Sequence, residues 1–330
     1  MNRPVLPRLL HPAVCLLVLA ALMTCQPASA AEKSEAKAEG AKKPATLTEA
    51  AQVKLPLRPR VPGTFAVQLR GREKTDEGTW QEKPRVENWN VSETAIIICD
   101  MWNDHYCQLA AQRVDAMAPR MNRVLTAARA HGALIVHAPS GCMERYQLTP
   151  YRLRAQNAPH VKPPVEIAGW CYLDPETEAE MPVDVSNQPC DDPVVGEAVR
   201  RFNRQHDAIK LIGYDAVSDS GQEIYNLFVQ EKIRNVVLMG VHTNMCVLGR
   251  PFGIRQMTRL GFNVALARDL TDCMYDPREK PYVSHTRGTE LVIEHIEKYW
   301  CPSFTGKDLT VVVPGSNDPQ PEGERAAATR

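Results

Sequence analysis

The sequence predicts an α/β fold, a doubly wound parallel sheet flanked by helices, with an N-terminal β-hairpin extension and a long inserted loop. Three observations carry this. Two short apolar runs, Ala95-Ile96-Ile97-Ile98-Cys99 and Val236-Val237-Leu238-Met239, have the length and composition of strands buried on both faces. Strand-like and helix-like stretches then alternate from Thr94 to Tyr299, which calls for a parallel sheet covered on both sides. Finally, Asp100 and Cys246 follow those apolar runs, at the carboxyl edge where open α/β sheets hold ligands.

Taken in order, residues 1–30 read as a signal peptide. Arg3 and Arg8 precede an apolar core from Ala13 to Leu22, and Ala28-Ser29-Ala30 supplies small residues for cleavage. The core is short for a membrane span, so an exported chain (periplasmic or secreted), free of the membrane after cleavage, is expected. Residues 31–58, rich in Ala, Glu, Lys and Pro, read as a disordered tether. Over 59–93, short alternating runs flank the turn signal Asp76-Glu77-Gly78, which predicts a β-hairpin.

The main domain is expected over 94–315. After the first strand, Asp115 to Ala130 reads as an amphipathic helix with Pro119 in its first turn and Gly132 at its stop. Ala133 to Val136 follows as a strand. Residues 139–195, rich in Pro, Tyr, Trp and Arg with little periodicity, read as an inserted lid. A strand over Ala208–Ile212, a helix from Ser220 to Lys232 and the Val236 strand come next. A helix ending near Gly261, a strand from Asn263 to Ala267 and a helix from Thr289 to Tyr299 complete the domain, and 316–330 reads as a loose tail.

Lys+Arg and Asp+Glu both number 39, so net charge recruits neither nucleic acid nor a membrane surface. A small-molecule substrate is the expected partner. Once the leader is removed, eight cysteines remain, and an oxidising compartment permits disulfides among them. Cys142, Cys171 and Cys190, in the irregular insertion, are the ones expected to pair. No C-x-x-C motif supports a structural zinc site.

Three polar residues stand at or beside predicted strands: Asp100, Lys210 and Cys246. Each has an ordinary explanation, as a cap, a sheet-edge lysine and a packed thiol. Together they supply a base, a cation and a nucleophile that one sheet edge can assemble. Backbone N–H groups and a helix N-terminus after Gly240 would favour a thiolate at Cys246, although Pro251 interrupts a helix begun at Asn244. Trp102, Asn103, His105 and Tyr106 follow Asp100 directly and are candidate walls of the site. Arg250 is a candidate carboxylate anchor, and Trp170 a candidate lid residue. Asp272 and Tyr275, after the last parallel strand, lie near the same edge, and His285 reads as a packing residue.

The order of Asp100 after the first strand, Lys210 in I-K-L, and Gly240-Val241-His242-Thr243-Asn244-Met245-Cys246-Val247 resembles the isochorismatase-like cysteine hydrolases, among them nicotinamidases and N-carbamoylsarcosine amidohydrolase. The likeness spans about Thr94 to Tyr299. It implies an Asp100–Lys210–Cys246 triad, a cis Val241–His242 peptide, and an oxyanion hole from the backbone N–H groups of His242 and Cys246. It also implies cleavage of a C–N bond of a small amide or ureido compound through a thioester. Nicotinamidases carry an Asp-x-His metal motif where this chain has His137-Ala138-Pro139-Ser140, so no metal and no cofactor are expected. The resemblance also implies that the chain can form a homo-oligomer. Two other readings stay open: a vinyl-ether hydrolase of isochorismatase type, in which the thiol is dispensable, and a secreted small-molecule-binding protein on the same scaffold.

Overall fold

The structure, a computed structural model, describes residues 55–186 and 189–314. The signal-peptide and tail assignments, and most of the tether, lie outside these residues. Among the described residues, no helix is long and apolar enough to cross a membrane.

The organising elements are β3 (Thr94–Cys99) and β6 (Asn235–Val241), every residue of which is buried. They pair in parallel, with Thr94 opposite Asn235 and Cys99 opposite Gly240. On the far side of β3 lie β4 (Leu134–Ala138) and the two-residue β5 (Ala216–Val217); beyond β6 lies β7 (Asn263–Asp272). The chain therefore leaves β3 in one direction and returns through β6 in the other. The crevice between the carboxyl ends of β3 and β6 is a topological switch point, where such sheets bind ligands.

Beyond β8 (Ser303–Phe304), which pairs in parallel with β7, the sheet turns antiparallel. The hairpin of β1 (Gly63–Lys74) and β2 (Trp80–Asn90) joins it through β8, and β9 (Val313–Pro314) pairs with the start of β1. Phe65, Val67 and Leu69 alternate inward from β1, so one face of the hairpin adds to the main core.

Helix α1 (Gln108–Ala130) covers one face of the sheet, burying Val114, Met117, Met121, Val124, Leu125 and Ala128 at helical spacing. It starts well before Asp115, and Pro119 lies inside it rather than in its first turn. The reason is a cap from far away. Asp192 accepts the backbone N–H groups of Gln108 and Leu109, both at 2.8 Å, whereas the local cap residue Cys107 provides no side-chain bond. Helix α2 (Pro150–Gln156) lies within the insertion, and α3 (Gly221–Glu231) and α6 (His285–Tyr299) complete the helical layers.

Ala208–Ile212 is not a strand. That stretch is turn and irregular backbone, and the sheet edge begins only at Ala216. What secures it is a buried polar cluster. Asp215, fully buried, pairs with Arg129 at 2.8 Å through both carboxylate oxygens and bonds His137 Nε2 at 3.0 Å. Burial pushes the Asp215 carboxyl up, but the bonds from His137 and Arg129 outweigh it and hold it below the usual range. A depressed carboxylate stabilises the fold above its unfolded pKa, and that contribution disappears as pH falls through its folded value. Asp215→Ala, which strands Arg129 in the interior, is expected to cost about 3–5 kcal/mol in denaturant unfolding at neutral pH. A loss under 1 kcal/mol would contradict this assignment.

Candidate active site

β3 delivers Asp100 with its backbone in the left-handed region (φ 47°), an uncommon conformation for a residue with a side chain. Its N–H still donates to Ala138 O at 3.1 Å, while its own carbonyl accepts from the Trp102 N–H at 2.8 Å. The carboxylate is fully buried. Oδ1 accepts the Ser140 N–H at 2.8 Å and Oδ2 accepts Arg250 Nε at 3.0 Å. Burial raises the Asp100 pKa, opposed first by Arg250 and then by bonds from Cys246 and Ser140.

β6 delivers the nucleophile loop. Gly240 has φ 111°, and a Cβ there would meet Cys99 O at 2.0 Å, so only glycine allows the two strand ends to approach. The next peptide, Val241–His242, is cis. Thr243 N donates to Asp272 O at 2.9 Å. Asn244 clasps Met274 in both directions, Nδ2 to its carbonyl at 2.8 Å and Oδ1 from its N–H at 2.9 Å. These bonds fix the loop to the end of β7. Cys246 opens the short helix α4 (Cys246–Gly249); Pro251 and its neighbours separate it from α5 (Ile254–Arg259).

Asp100 and the backbone N–H of His242 both bear on the Cys246 thiol. Burial, then the Asp100 charge, pushes the thiol well above the ordinary cysteine value, with Arg250 and the His242 N–H opposing. The expected resting thiolate is therefore corrected. A four-residue helix and one cation do not offset an adjacent carboxylate in a buried site. The arrangement is a neutral thiol beside its base.

Lys210 does not join this group. It is exposed, and its Nζ donates to Asp207 O at 2.6 Å. Its main chain is held between Asn122 Oδ1 and Arg129, against α1. The expected placement assumed a strand that would carry the lysine to the carboxyl edge, and no such strand exists. The cation beside Asp100 is Arg250. Its guanidinium also lies 5.5 Å from the Trp170 ring centroid, and Trp170 packs closely over Gly249, where a Cβ would fall 2.7 Å from the indole.

A cavity of about 300 Å³ opens onto Cys246 and Arg250. Trp102, His105, Tyr106 and Trp170 line it, together with His242. Asn103 does not; its Oδ1 accepts the N–H groups of Asn203 and Arg204, both at 3.1 Å, and so anchors the irregular segment that follows the insertion. Six residues that line the wall were not anticipated: Ala198, Val199, Arg200, Phe202, Met245 and Met274. Phe202 stacks on Trp102 with centroids 4.1 Å apart, and Arg200 sits over the Phe202 ring. No periodicity marks this segment, and only its tertiary contacts bring it to the site.

The His242 ring is neutral, pushed down to about 3 by burial and then by neighbouring His105, whose ring lies 5.0 Å away. His137 is not available to a metal, since Gln205 at 2.9 Å and Asp215 occupy both ring nitrogens. His285 bonds Asp272 at 2.9 Å and the carbonyl of Tyr275, whose own ring is fully buried.

A nucleophile turn after the fourth parallel strand, facing an aspartate after the first, is the arrangement against which known families can be compared. The family model described as "Isochorismatase domain" matches residues 94–280. The chain belongs to the isochorismatase family. Solved structures of isochorismatase-like proteins are similar to this chain at low identity. A cysteine hydrolase from Pseudomonas syringae pv. phaseolicola 1448A is 15% identical, over 67% of this chain and 92% of that one, with a TM-score of 0.40. An isochorismatase from Pseudomonas putida KT2440 is 12% identical over 66% and 90%, with a TM-score of 0.39. The nicotinamidase of Staphylococcus aureus is 12% identical over 62% and 92%, with a TM-score of 0.32. No curated protein matches the chain significantly. In this chain the cation paired with Asp100 is Arg250, four residues after the cysteine.

Proposed function

We propose that this chain is a cysteine-dependent amidohydrolase cleaving a C–N bond of a small amide or ureido compound. The observation that carries the reading is the contact of the Cys246 thiol with Asp100, itself held by Arg250, at the mouth of an aromatic-walled cavity. Asp100 takes the thiol proton as Cys246 attacks the carbonyl carbon. The backbone N–H groups of His242 and Cys246 serve as the oxyanion hole for the tetrahedral intermediate. Collapse expels the amine or ammonia, which takes the proton back from Asp100 and leaves a thioester. Water then attacks the thioester, Asp100 accepts its proton, and the acid leaves as the Cys246 thiol is restored. Net, one amide and one water give one acid and one amine.

Arg250 has a double task. Its charge opposes the burial that raises the Asp100 pKa, and it lines the cavity, where the substrate's polar end docks. Trp102, Phe202 and Trp170 supply flat apolar walls that favour a planar substrate. The leader sequence alone supports an extracytoplasmic setting. The test is ammonia or amine release from a panel of small aliphatic, aromatic and ureido amides. Turnover of at least one member, saturable and abolished by thiol alkylation, is expected. Cleavage of vinyl ethers alone, or binding without turnover across the panel, would contradict the proposal.

A further inference from the structure

On the other side of the Tyr106 wall, away from Cys246, three metal-ligating side chains converge. Cys107 precedes α1, and Cys190 and Asp192 belong to the Cys190-Asp191-Asp192 stretch of the insertion. All three are buried, and one donor atom from each lies within 4.8 Å of the others. We propose that Cys107, Cys190 and Asp192 bind one zinc ion, which staples the insertion to the start of α1.

The spacing suits a tetrahedral ion. Zinc–sulfur bonds of about 2.3 Å and zinc–oxygen bonds of 2.0–2.2 Å give tetrahedral edges of roughly 3.6–3.8 Å. Cys107 Sγ lies 3.5 Å from Asp192 Oδ1, and the donor atoms of all three residues lie within 4.8 Å of one another. The support around the donors is also in place. Both Asp192 oxygens are oriented by α1 N–H groups, and Arg278 bonds the carbonyls of Cys190 and Asp192 at 3.2 and 3.0 Å. Arg113 grips Asp191 at 2.7 and 3.0 Å, with Asp191 Oδ1 3.4 Å from Cys107 Sγ. Such outer contacts orient metal ligands. Two sulfurs select a thiophilic ion over magnesium or calcium. Two carboxylates packed against the sulfurs favour a bound cation over a disulfide, which gains nothing from them.

Binding is balanced as one Zn²⁺ displacing the two thiol protons, forming two zinc–sulfur bonds and one zinc–oxygen bond, with water at the fourth vertex. No local motif announces the site, because Cys107 and the other two donors are far apart in the chain. The expectation of no metal was drawn from the missing C-x-x-C and Asp-x-His motifs, and this site uses neither.

The test uses the reduced full-length chain. After loading with ZnCl₂ and desalting, metal analysis is expected to find about one zinc per chain. CoCl₂ in its place should give a thiolate-to-cobalt charge-transfer band. Asp192→Asn, which keeps one of the two acceptors for the α1 N–H groups, and Cys190→Ser should each weaken zinc binding at least ~10-fold, while Cys246→Ser retains it. A readout independent of any variant is alkylation followed by peptide mass spectrometry, with zinc protecting Cys107 and Cys190. Substoichiometric zinc, a cobalt spectrum without the thiolate band, undiminished zinc in the variants, or a Cys107–Cys190 disulfide in the secreted protein would each overturn the proposal.

Discussion

Cys246→Ala is expected to lower amide turnover by at least ~10⁴-fold while the protein stays folded. The loss is large because no other group in the described cavity is placed to replace it: its thiol is the one in contact with both Asp100 and the His242 N–H. Folding should survive because Cys246 is small and sits on the cavity wall, so its truncation enlarges existing space instead of opening a new void. The measurement is kcat/KM on the best amide, with circular dichroism and thermal unfolding as the folding check. Turnover within tenfold of wild type would remove the nucleophile from the account and favour ether hydrolysis.

The second large effect is expected at Arg250, and it separates this chain from the triad that the resemblance implies. Arg250→Met should cut kcat/KM by about 10²–10³-fold, the range for losing a placed charge in a buried site. Lys210→Ala should change it less than twofold, because Lys210 is exposed and its ammonium bonds only the Asp207 carbonyl among the contacts described. The pH profile gives an independent sign. Asp100 acts as a base only when ionised, so activity rises with pH through its pKa. Burial already raises that pKa, and Arg250 is the first influence holding it down. Its removal must move the acid limb of kcat/KM further up, and Arg250→Lys should move it part of the way back. An unmoved limb in Arg250→Met, or a severe loss in Lys210→Ala, would return the lysine to the site.

The contrast between these two cations shows what the chain makes legible. The runs Ala95–Cys99 and Val236–Met239 declare buried strands, because burial on both faces demands continuous apolar residues. Asp100 and Cys246 are legible for the same reason, as polar groups attached directly to those strands. Lys210 misleads because its position was inferred through a strand over Ala208–Ile212, where short alternation alone does not make one. Arg250 was visible as a pocket candidate from its place after Cys246, but its partner was not. The bond to Asp100 joins residues that only the packing of β3 against β6 brings together. The true start of α1 was hidden similarly, since its capping group, Asp192, belongs to the insertion. Arg200 and Phe202 complete the wall from irregular backbone, whose course depends on contacts such as the Trp102–Phe202 stack. Local chemistry was readable; long-range pairing was not.

The central claim is that the sulfur of Cys246 becomes covalently acylated during turnover. Acid quenching of the enzyme during steady-state hydrolysis of its best amide, followed by peptide mass spectrometry, tests it most directly. The account predicts the acyl mass on the peptide bearing Cys246, absent from Cys246→Ala and lost when the quenched protein is treated with hydroxylamine, which cleaves thioesters. Hydrolysis that proceeds at full rate with that peptide unmodified at every time point would contradict it.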